Sequence, residues 1–281
     1  MIDGATIDCG NSTVVCRRPD GVIWRTPSRD PDLATALLQL PDFLRGSTPR
    51  PTPRQTPGPA LRPTPRPTQP SATRLRIAAV SVVPRALEAV QHACRDLAVV
   101  EVAGQQLPCP LRLDYETVPT LGADRWLGAL AAWRRCTASP ADKAVVTIDC
   151  GTATTVNVAT GEPAAGDAAV FRGGAIAPGL SAFVVGMQHT APRLPFADLD
   201  AVPAMPGRST QASIDTGVLL GWVGMVERLV AAACQGLASP RVYATGGHAH
   251  RLLRHAQLPG EPEHVPELLH DGLLALLEAH P

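Results

Sequence analysis

The sequence predicts an α/β chain of two pseudo-symmetric lobes around a cleft. Three observations carry that expectation. Ile-Asp-Cys-Gly occurs twice, at Ile7–Gly10 and at Ile148–Gly151, half a chain apart. Each copy follows an apolar, β-branched run (Ala5-Thr6-Ile7; Val145-Val146-Thr147-Ile148) and precedes another (Thr13-Val14-Val15-Cys16; Thr154-Thr155-Val156-Asn157-Val158). Each therefore reads as strand, tight turn, strand. Helical periodicities and further strands follow both hairpins, the order two related lobes would share.

In chain order, residues up to 26 form a hairpin that reverses at Pro19-Asp20-Gly21 into Val22-Ile23-Trp24. Asp32–Leu44 has helical spacing (Leu33, Ala36, Leu37, Leu40), with Pro41 ending the regular part. Residues 47–73 read STPRPTPRQTPGPALRPTPRPTQPSAT, a proline- and arginine-rich insertion with almost nothing to bury, expected to be disordered. The fold resumes with a buried strand over Leu75–Val82, a helix from Pro84 through Leu97, and strands at Val99–Val102 and Leu111–Tyr115. Gly122–Cys136 is helical. The second hairpin is expected to turn at Thr160-Gly161, and a Gly-rich loop follows at Arg172–Gly179. Helices over Leu180 to His189 and Ser213 to Cys234, a strand at Arg241–Ala244 and a last helix to Ala279 complete the chain. The lobes are assigned as residues 1–117 and 118–281.

With 45% hydrophobic but only 4% aromatic residues among 281, the core must rest on Ala, Val, Leu and Ile. The formal charge is zero, so the overall field predicts neither a nucleic-acid nor a membrane partner. No apolar run approaches a membrane span and no signal-peptide pattern opens the chain, which predicts a cytoplasmic protein. The seven cysteines (Cys9, Cys16, Cys94, Cys109, Cys136, Cys150, Cys234) form no CxxC pair. That excludes zinc ribbons and thioredoxin-type chemistry and leaves them as small, mostly buried hydrophobes.

One acidic turn alone would be read as only a turn. Two, each with hydroxyl side chains behind the glycine, suit phosphate: glycine admits backbone amides close to an anion, and Ser, Thr and Asn add donors. A carboxylate beside phosphate makes sense when a cation such as Mg²⁺ stands between them. No GxxxxGK[ST] occurs, and no GxGxxG opens a helix after the first strand. Two further glycine stretches, Phe171–Gly179 and Ala244–Ala249, precede helices. They are places for a nucleotide's sugar or phosphates, or simply for tight packing.

These motifs together make the sequence resemble the type III pantothenate kinases, within the acetate kinase/sugar kinase/Hsp70/actin superfamily. The matching residues are Asp8-Cys9-Gly10-Asn11-Ser12; Tyr115 with Gly122-Ala123-Asp124-Arg125; Asp149 to Thr155; Gly173 to Gly179; Thr210 to Gly217; and Thr245-Gly246-Gly247. The resemblance implies two ribonuclease H-like lobes with mixed sheets, the actin-like ATPase fold, and ATP-dependent phosphorylation of pantothenate, the first step toward coenzyme A. It implies Asp124 as the general base. Tyr115, Gly122, Ala123 and Arg125 would form the pantothenate site, with Arg125 on the carboxylate. Gly10, Asn11, Ser12, Thr13, Gly151, Thr152, Thr154 and Gly246 would face ATP and its phosphates. Asp8 would help hold Mg²⁺, and Asp149 a monovalent cation, K⁺ or NH₄⁺. Thr210 would reach a neighbouring subunit's substrate, which implies a homodimer.

Asn157 departs from the family, which often has aspartate there; a metal contact or a contact behind the site would be weakened. The insertion at 47–73 is not a family feature. Two alternatives stand beside the leading reading: a kinase of the same fold with another small acceptor, or a non-catalytic accessory relative. Retention of Asp8, Asp124 and Asp149 argues against the latter. For Asp124 the bland roles are pairing with Arg125 or capping its helix. His189, His248 and His250 read as surface or loop residues.

Overall fold

The computed structural model describes residues 4–28, 33–47, 74–137, 143–161 and 169–280. Most of the expected proline-rich insertion thus lies outside the described residues. The chain divides into two compact units. One takes residues up to Pro108 together with the chain end from Leu276; the other runs Cys109–Ala275.

The first unit is a five-stranded sheet of β1 (Gly4–Cys9), β2 (Thr13–Arg17), β3 (Ile23–Pro27), β4 (Leu75–Ser81) and β5 (Ala98–Val102), in the order β3-β2-β1-β4-β5. The first three strands form an antiparallel meander. β4 lies parallel to β1, and β5 parallel to β4. Parallel neighbours need a crossover, and α3 (Pro84–Cys94) supplies the one between β4 and β5. The helix expected over Asp32–Leu44 is two short helices, α1 (Leu33–Leu37) and α2 (Leu40–Leu44). Pro41, expected to end a helix, instead sits in the first turn of α2, where its missing N–H forfeits no helical bond. Alternation along β1 sends Ala5, Ile7 and Cys9 into a core shared with Leu40, Phe43, Val90 and Cys94.

The second unit repeats this plan. Its strands are β6 (Arg112–Leu113), β7 (Ala144–Cys150), β8 (Ala153–Gly161), β9 (Ala169–Pro178), β10 (Arg241–Thr245) and β11 (Glu263–His264), ordered β11-β10-β7-β8-β9-β6. β7, β8 and β9 form an antiparallel meander, and β10 and β11 follow in parallel. Strand for strand this matches the first sheet, so the repeated Ile-Asp-Cys-Gly ends equivalent strands, β1 and β7. β6 is an added edge paired with β9. Residues 112–113 therefore belong to the second sheet, although a boundary at 117/118 places them in the first lobe. The strand expected over Leu111–Tyr115 shrinks to those two residues. β8 continues through Gly161, so the reversal expected at Thr160-Gly161 does not fall there. The Gly-rich segment expected as a loop is most of β9.

β7 has two chemically different faces. Val146, Ile148 and Cys150 enter a core with Trp222, Val223 and Val226 of α6 (Thr210–Cys234), beside α5 (Leu180–Thr190) and α7 (Ala249–His255). Thr147 and Asp149 point to the opposite face. There α4 (Ala123–Arg135) packs on β7 and β8. α4 is crossed closely by α8 (Leu268–Ala279): a Cβ on Gly272 would come within 2.6 Å of the Leu127 carbonyl oxygen. α6 corrects one expectation. Its 25 residues and mean hydropathy of 1.5 would suffice for a membrane span. The helix commits Val218, Leu219, Trp222, Val223, Val226 and Val230 to the core. The described cysteines are all free thiols, and five of them are buried. Burial pushes the Cys9 thiol up to about 12 and that of Cys94 up to about 11, which leaves them inert near neutrality.

Candidate active site

Both acidic turns are built as the sequence suggests, with different closures. In the first, the Gly10 N–H donates to the Thr13 carbonyl at 3.0 Å. Asn11, Ser12 and Thr13 are exposed behind it. In the second, the Gly151 N–H donates to the Ala153 carbonyl at 3.1 Å. Two distant glycines press against this second turn. A Cβ on Gly179, just ahead of α5, would come within 2.5 Å of the Gly151 oxygen. One on Gly246 would come within 2.5 Å of Asp149 Oδ1, and Gly246 has φ +90°, which glycine alone adopts without strain. The Asp149-Gly151-Thr152 turn is thus bracketed by the chain entering α5 and the chain entering α7. The first-turn N–H groups of α5 add a partial positive charge beside it.

Thr154 is a correction. It is fully buried, and its Oγ1 accepts a hydrogen bond from Trp222 Nε1 at 3.0 Å. It anchors the core and does not face phosphate. His248, expected as a surface or loop residue, lies in the turn between β10 and α7, half-buried against the Trp222 ring with Nε2 3.2 Å from Ser181 Oγ.

Asp124 lies in the first turn of α4, whose N-cap position is Gly122. Its carboxyl still meets the first-turn backbone N–H of Arg125, so a helix-end role stands beside the catalytic one. Burial raises the Asp124 pKa, opposed by backbone N–H groups and the Arg125 charge. Gly122 leaves room for this carboxyl, since a Cβ there would overlap Asp124 Oδ1. Asp149 is pushed up to about 6, first by burial and then by the negative charge of Asp124. The Asp124 charge thus reaches Asp149.

Beside this pair lies Arg125, only 6% exposed. Its Nε donates to Asn157 Oδ1 at 2.8 Å and its Nη1 to the Tyr115 hydroxyl at 3.2 Å. Its Nη2 is buried without a partner among the described residues. The guanidinium carbon is 5.6 Å from the Tyr115 ring centre and 5.9 Å from that of Phe171. Tyr115 is seated over Gly173 (φ +88°), where a Cβ would lie 3.4 Å from the ring. A buried guanidinium with an unused donor is suited to a carboxylate ligand.

The structure thus brings Tyr115, Gly122, Asp124, Arg125, Asp149, Gly151 and Gly246 together in the second unit. Asp8, Gly10, Asn11, Ser12 and Thr13 form the turn of the first. Thr210 stands apart, exposed at the start of α6, and makes no hydrogen bond to Tyr115, Asp124 or Arg125. Phe171 is a site residue that the sequence motifs do not mark, and Asn157 is marked there only as a departure from the family. The departure at Asn157 falls on Arg125, and its Nδ2 donates to Thr155 Oγ1 at 3.2 Å. Among the described residues no three acidic, histidine or cysteine side chains gather as a metal cluster. A bound divalent ion would draw most ligands from phosphate and water. The desolvated Asp149 beside a second carboxyl does fit a cation, because a nearby positive charge would relieve both.

A family model described as type III pantothenate kinase matches residues 60–232. The type III pantothenate kinase of Nitratidesulfovibrio vulgaris (strain DP4) is 34% identical over 202 residues, covering 70% of this chain and 72% of the relative. That of Acidiphilium cryptum (strain JF-5) is 33% identical over 205 residues, covering 72% of each. Among solved structures, a candidate 2-dehydro-3-deoxygalactonokinase from Sinorhizobium meliloti superposes with a TM-score of 0.50 at 10% identity, over 98% of each chain. That likeness is one of fold alone.

Proposed function

The chain belongs to the type III pantothenate kinase family, and from that premise we propose how its residues phosphorylate pantothenate with ATP, the first step of coenzyme A biosynthesis. The observation that carries the residue-level reading is the Arg125 guanidinium, buried with both Nη2 donors unused among the described residues, next to Asp124. Arg125 receives the pantothenate carboxylate, while Tyr115, Gly122 and Ala123 shape the pocket. That places the acceptor's far end, with its hydroxyl, toward Asp124. A neutral sugar would leave the Arg125 charge unanswered.

Asp124 takes the hydroxyl proton as the oxygen attacks the γ-phosphorus. Its ionised form is required, and burial raises its affinity for the proton to be accepted. Phosphoryl transfer otherwise needs positioning and charge neutralisation. In the second unit Gly151, Thr152 and Gly246 serve ATP; in the first, Gly10, Asn11, Ser12 and Thr13 form a turn with the same donor chemistry for phosphate. Asp8 would help hold a divalent ion, Mg²⁺ in this reading, which would supply neutralisation of phosphate charge, and Asp149 would hold a monovalent cation, K⁺ or NH₄⁺.

The pH profile tests the base. Protonation of Asp124 removes the acceptor form, and burial moves that protonation above the ordinary aspartate range, so kcat/KM for pantothenate is expected to fall on the acid side at a higher pH than a free carboxylate would give. A profile flat down to pH 4.5 would remove Asp124 from this role. ATP consumption that does not depend on pantothenate would reject the acceptor.

The same reading holds a homodimer in the cytoplasm. Supporting it, Val202 and Met205 are 88% and 86% exposed ahead of Thr210, and Val185, Phe196 and Leu220 are exposed nearby in sequence. Light scattering on the full chain is expected to give twice the 29.5 kDa monomer mass. A monomer at assay concentrations would reject the dimer.

A further inference from the structure

We propose that Ser181 is a further nucleotide-binding residue, whose hydroxyl donates to a phosphate oxygen of ATP, and that His248 is the positioning residue that aims it. The inference rests on the reading of the second turn as an ATP site and adds two side chains to its glycines and Thr152. Ser181 is the second residue of α5, and it is exposed. Gly179, two residues earlier, presses on the turn: a Cβ there would come within 2.4 Å of the Thr152 carbonyl oxygen. His248 reaches the same turn from the chain entering α7, its backbone N–H donating to the Cys150 carbonyl at 3.1 Å. Its Nε2 lies 3.2 Å from Ser181 Oγ. The two side chains therefore tie together, beside the turn, the two segments that bracket it.

The direction of the Ser181–His248 bond follows from what lies behind the ring. Arg251 Nη1 is 3.4 Å from His248 Nδ1. A guanidinium only donates, so Nδ1 accepts, and the one N–H of the neutral ring sits on Nε2. Arg251 is itself held, its Nε donating to the Leu199 carbonyl at 3.2 Å and its Nη2 to Asp200. The surroundings favour the neutral ring. Burial lowers the His248 pKa, and the charges of Arg251 and His250 lower it further. The Trp222 ring packs edge-on against it, with centres 6.5 Å apart. Nε2–H thus donates to Ser181 Oγ, which leaves the serine O–H to donate elsewhere. Among the described residues, His248 is the hydrogen-bond partner of Ser181 Oγ, and no acceptor takes that O–H. An exposed, oriented donor next to the Gly151-Thr152 turn suits an anionic oxygen.

The test is steady-state kinetics on the full-length protein. Ser181→Ala is expected to raise KM for ATP about tenfold, with kcat within about twofold and KM for pantothenate unchanged, because a phosphate contact made before and during transfer changes binding and not the chemical step. An unchanged KM for ATP, or a loss carried by kcat, overturns the proposal. His248→Phe keeps a ring against Trp222 but has no N–H, and is expected to raise KM for ATP about threefold to fivefold. His248→Gln, which returns an N–H near the Nε2 position, should bring KM back to within about twofold of wild type. In the Ser181→Ala background His248→Phe should add nothing, since the histidine acts through the serine; an equal rise with and without the hydroxyl overturns that role. Should His248→Phe fail to fold, His248→Asn, too short to reach Ser181, takes its place in the same cycle. The rise in Ser181→Ala is expected to be the same with 2′,3′-dideoxyATP as with ATP. A rise that vanishes with the dideoxy nucleotide moves the contact to the ribose and overturns the phosphate assignment. A wild type that does not turn over ATP with pantothenate refutes the reading of the site and takes the proposal with it. An active wild type whose KM for ATP is unmoved by Ser181→Ala refutes the assignment of Ser181 alone.

Discussion

Asp124→Asn is expected to lower kcat by about 10²–10⁴ while leaving KM for pantothenate within a few-fold. The reasoning separates binding from chemistry. Arg125, which would hold the carboxylate, keeps its contacts to Asn157 and Tyr115. The side-chain oxygen of asparagine can still accept from the α4 backbone, as the Asp124 carboxyl does. What disappears is the capacity to take a proton. Folding should survive, because the substitution removes a charge that now raises the Asp149 pKa. Steady-state kinetics with circular dichroism as a folding control checks this. A folded variant with near-wild-type kcat would eliminate Asp124 as the base, and a rise in KM with kcat intact would reassign it to binding.

The repeated hairpins were legible because a four-residue marker ends the first strand of each sheet, and the flanking alternation gave both strands. The pocket around Arg125 was only half legible. Asp124-Arg125 could be read from a contiguous motif. The Arg125–Asn157 contact spans 32 residues from helix to sheet, and a strand pattern tells which face a side chain occupies, not which helix covers it. The misplacement of Thr154 was avoidable. Thr154 pairs with Cys150 and Thr155 with Asp149 in the β7–β8 register. The acidic face therefore takes Thr155 and Asn157 and sends Thr154 to the core. The glycines of β9 read as a loop because strands rarely contain two in succession. Here each absent side chain is a space, one for the Tyr115 ring and one for the backbone of β8, beside a register shift at Val158/Ala159. In α2, Pro41 misled for a related reason: proline marks a helix's beginning as readily as its end.

The second large effect is expected at Asp149, where function and stability pull in opposite directions. Asp149→Asn should abolish most ATP-dependent turnover, by about 10² or more if the group neutralises cationic charge at the phosphates. The same change should make the ligand-free protein more stable at neutral pH. The sign follows from the shift. The folded-state pKa, about 6, lies above the ordinary aspartate value, so the folded chain binds the proton more tightly than the unfolded one. Stability is then lost as pH rises from about 4 to about 6, and above that the full cost of a buried carboxylate remains. Roughly two pK units correspond to at most about 3 kcal/mol. For a chain of this size that is about 2–4 °C in Tm per kcal/mol. Ligand-free wild type should therefore melt at lower temperature at pH 7.5 than at pH 5, as far as this group governs, and Asp149→Asn should flatten that slope and raise Tm by several degrees at pH 7.5. Adding ATP with Mg²⁺ and K⁺ should raise the wild-type Tm and raise that of the variant less, since the variant lacks the charge the cations relieve. A variant that melts below wild type in ligand-free buffer at pH 7.5 would show that Asp149 is a structural anchor, and the carboxyl would then need a stabilising partner that burial beside Asp124 does not provide.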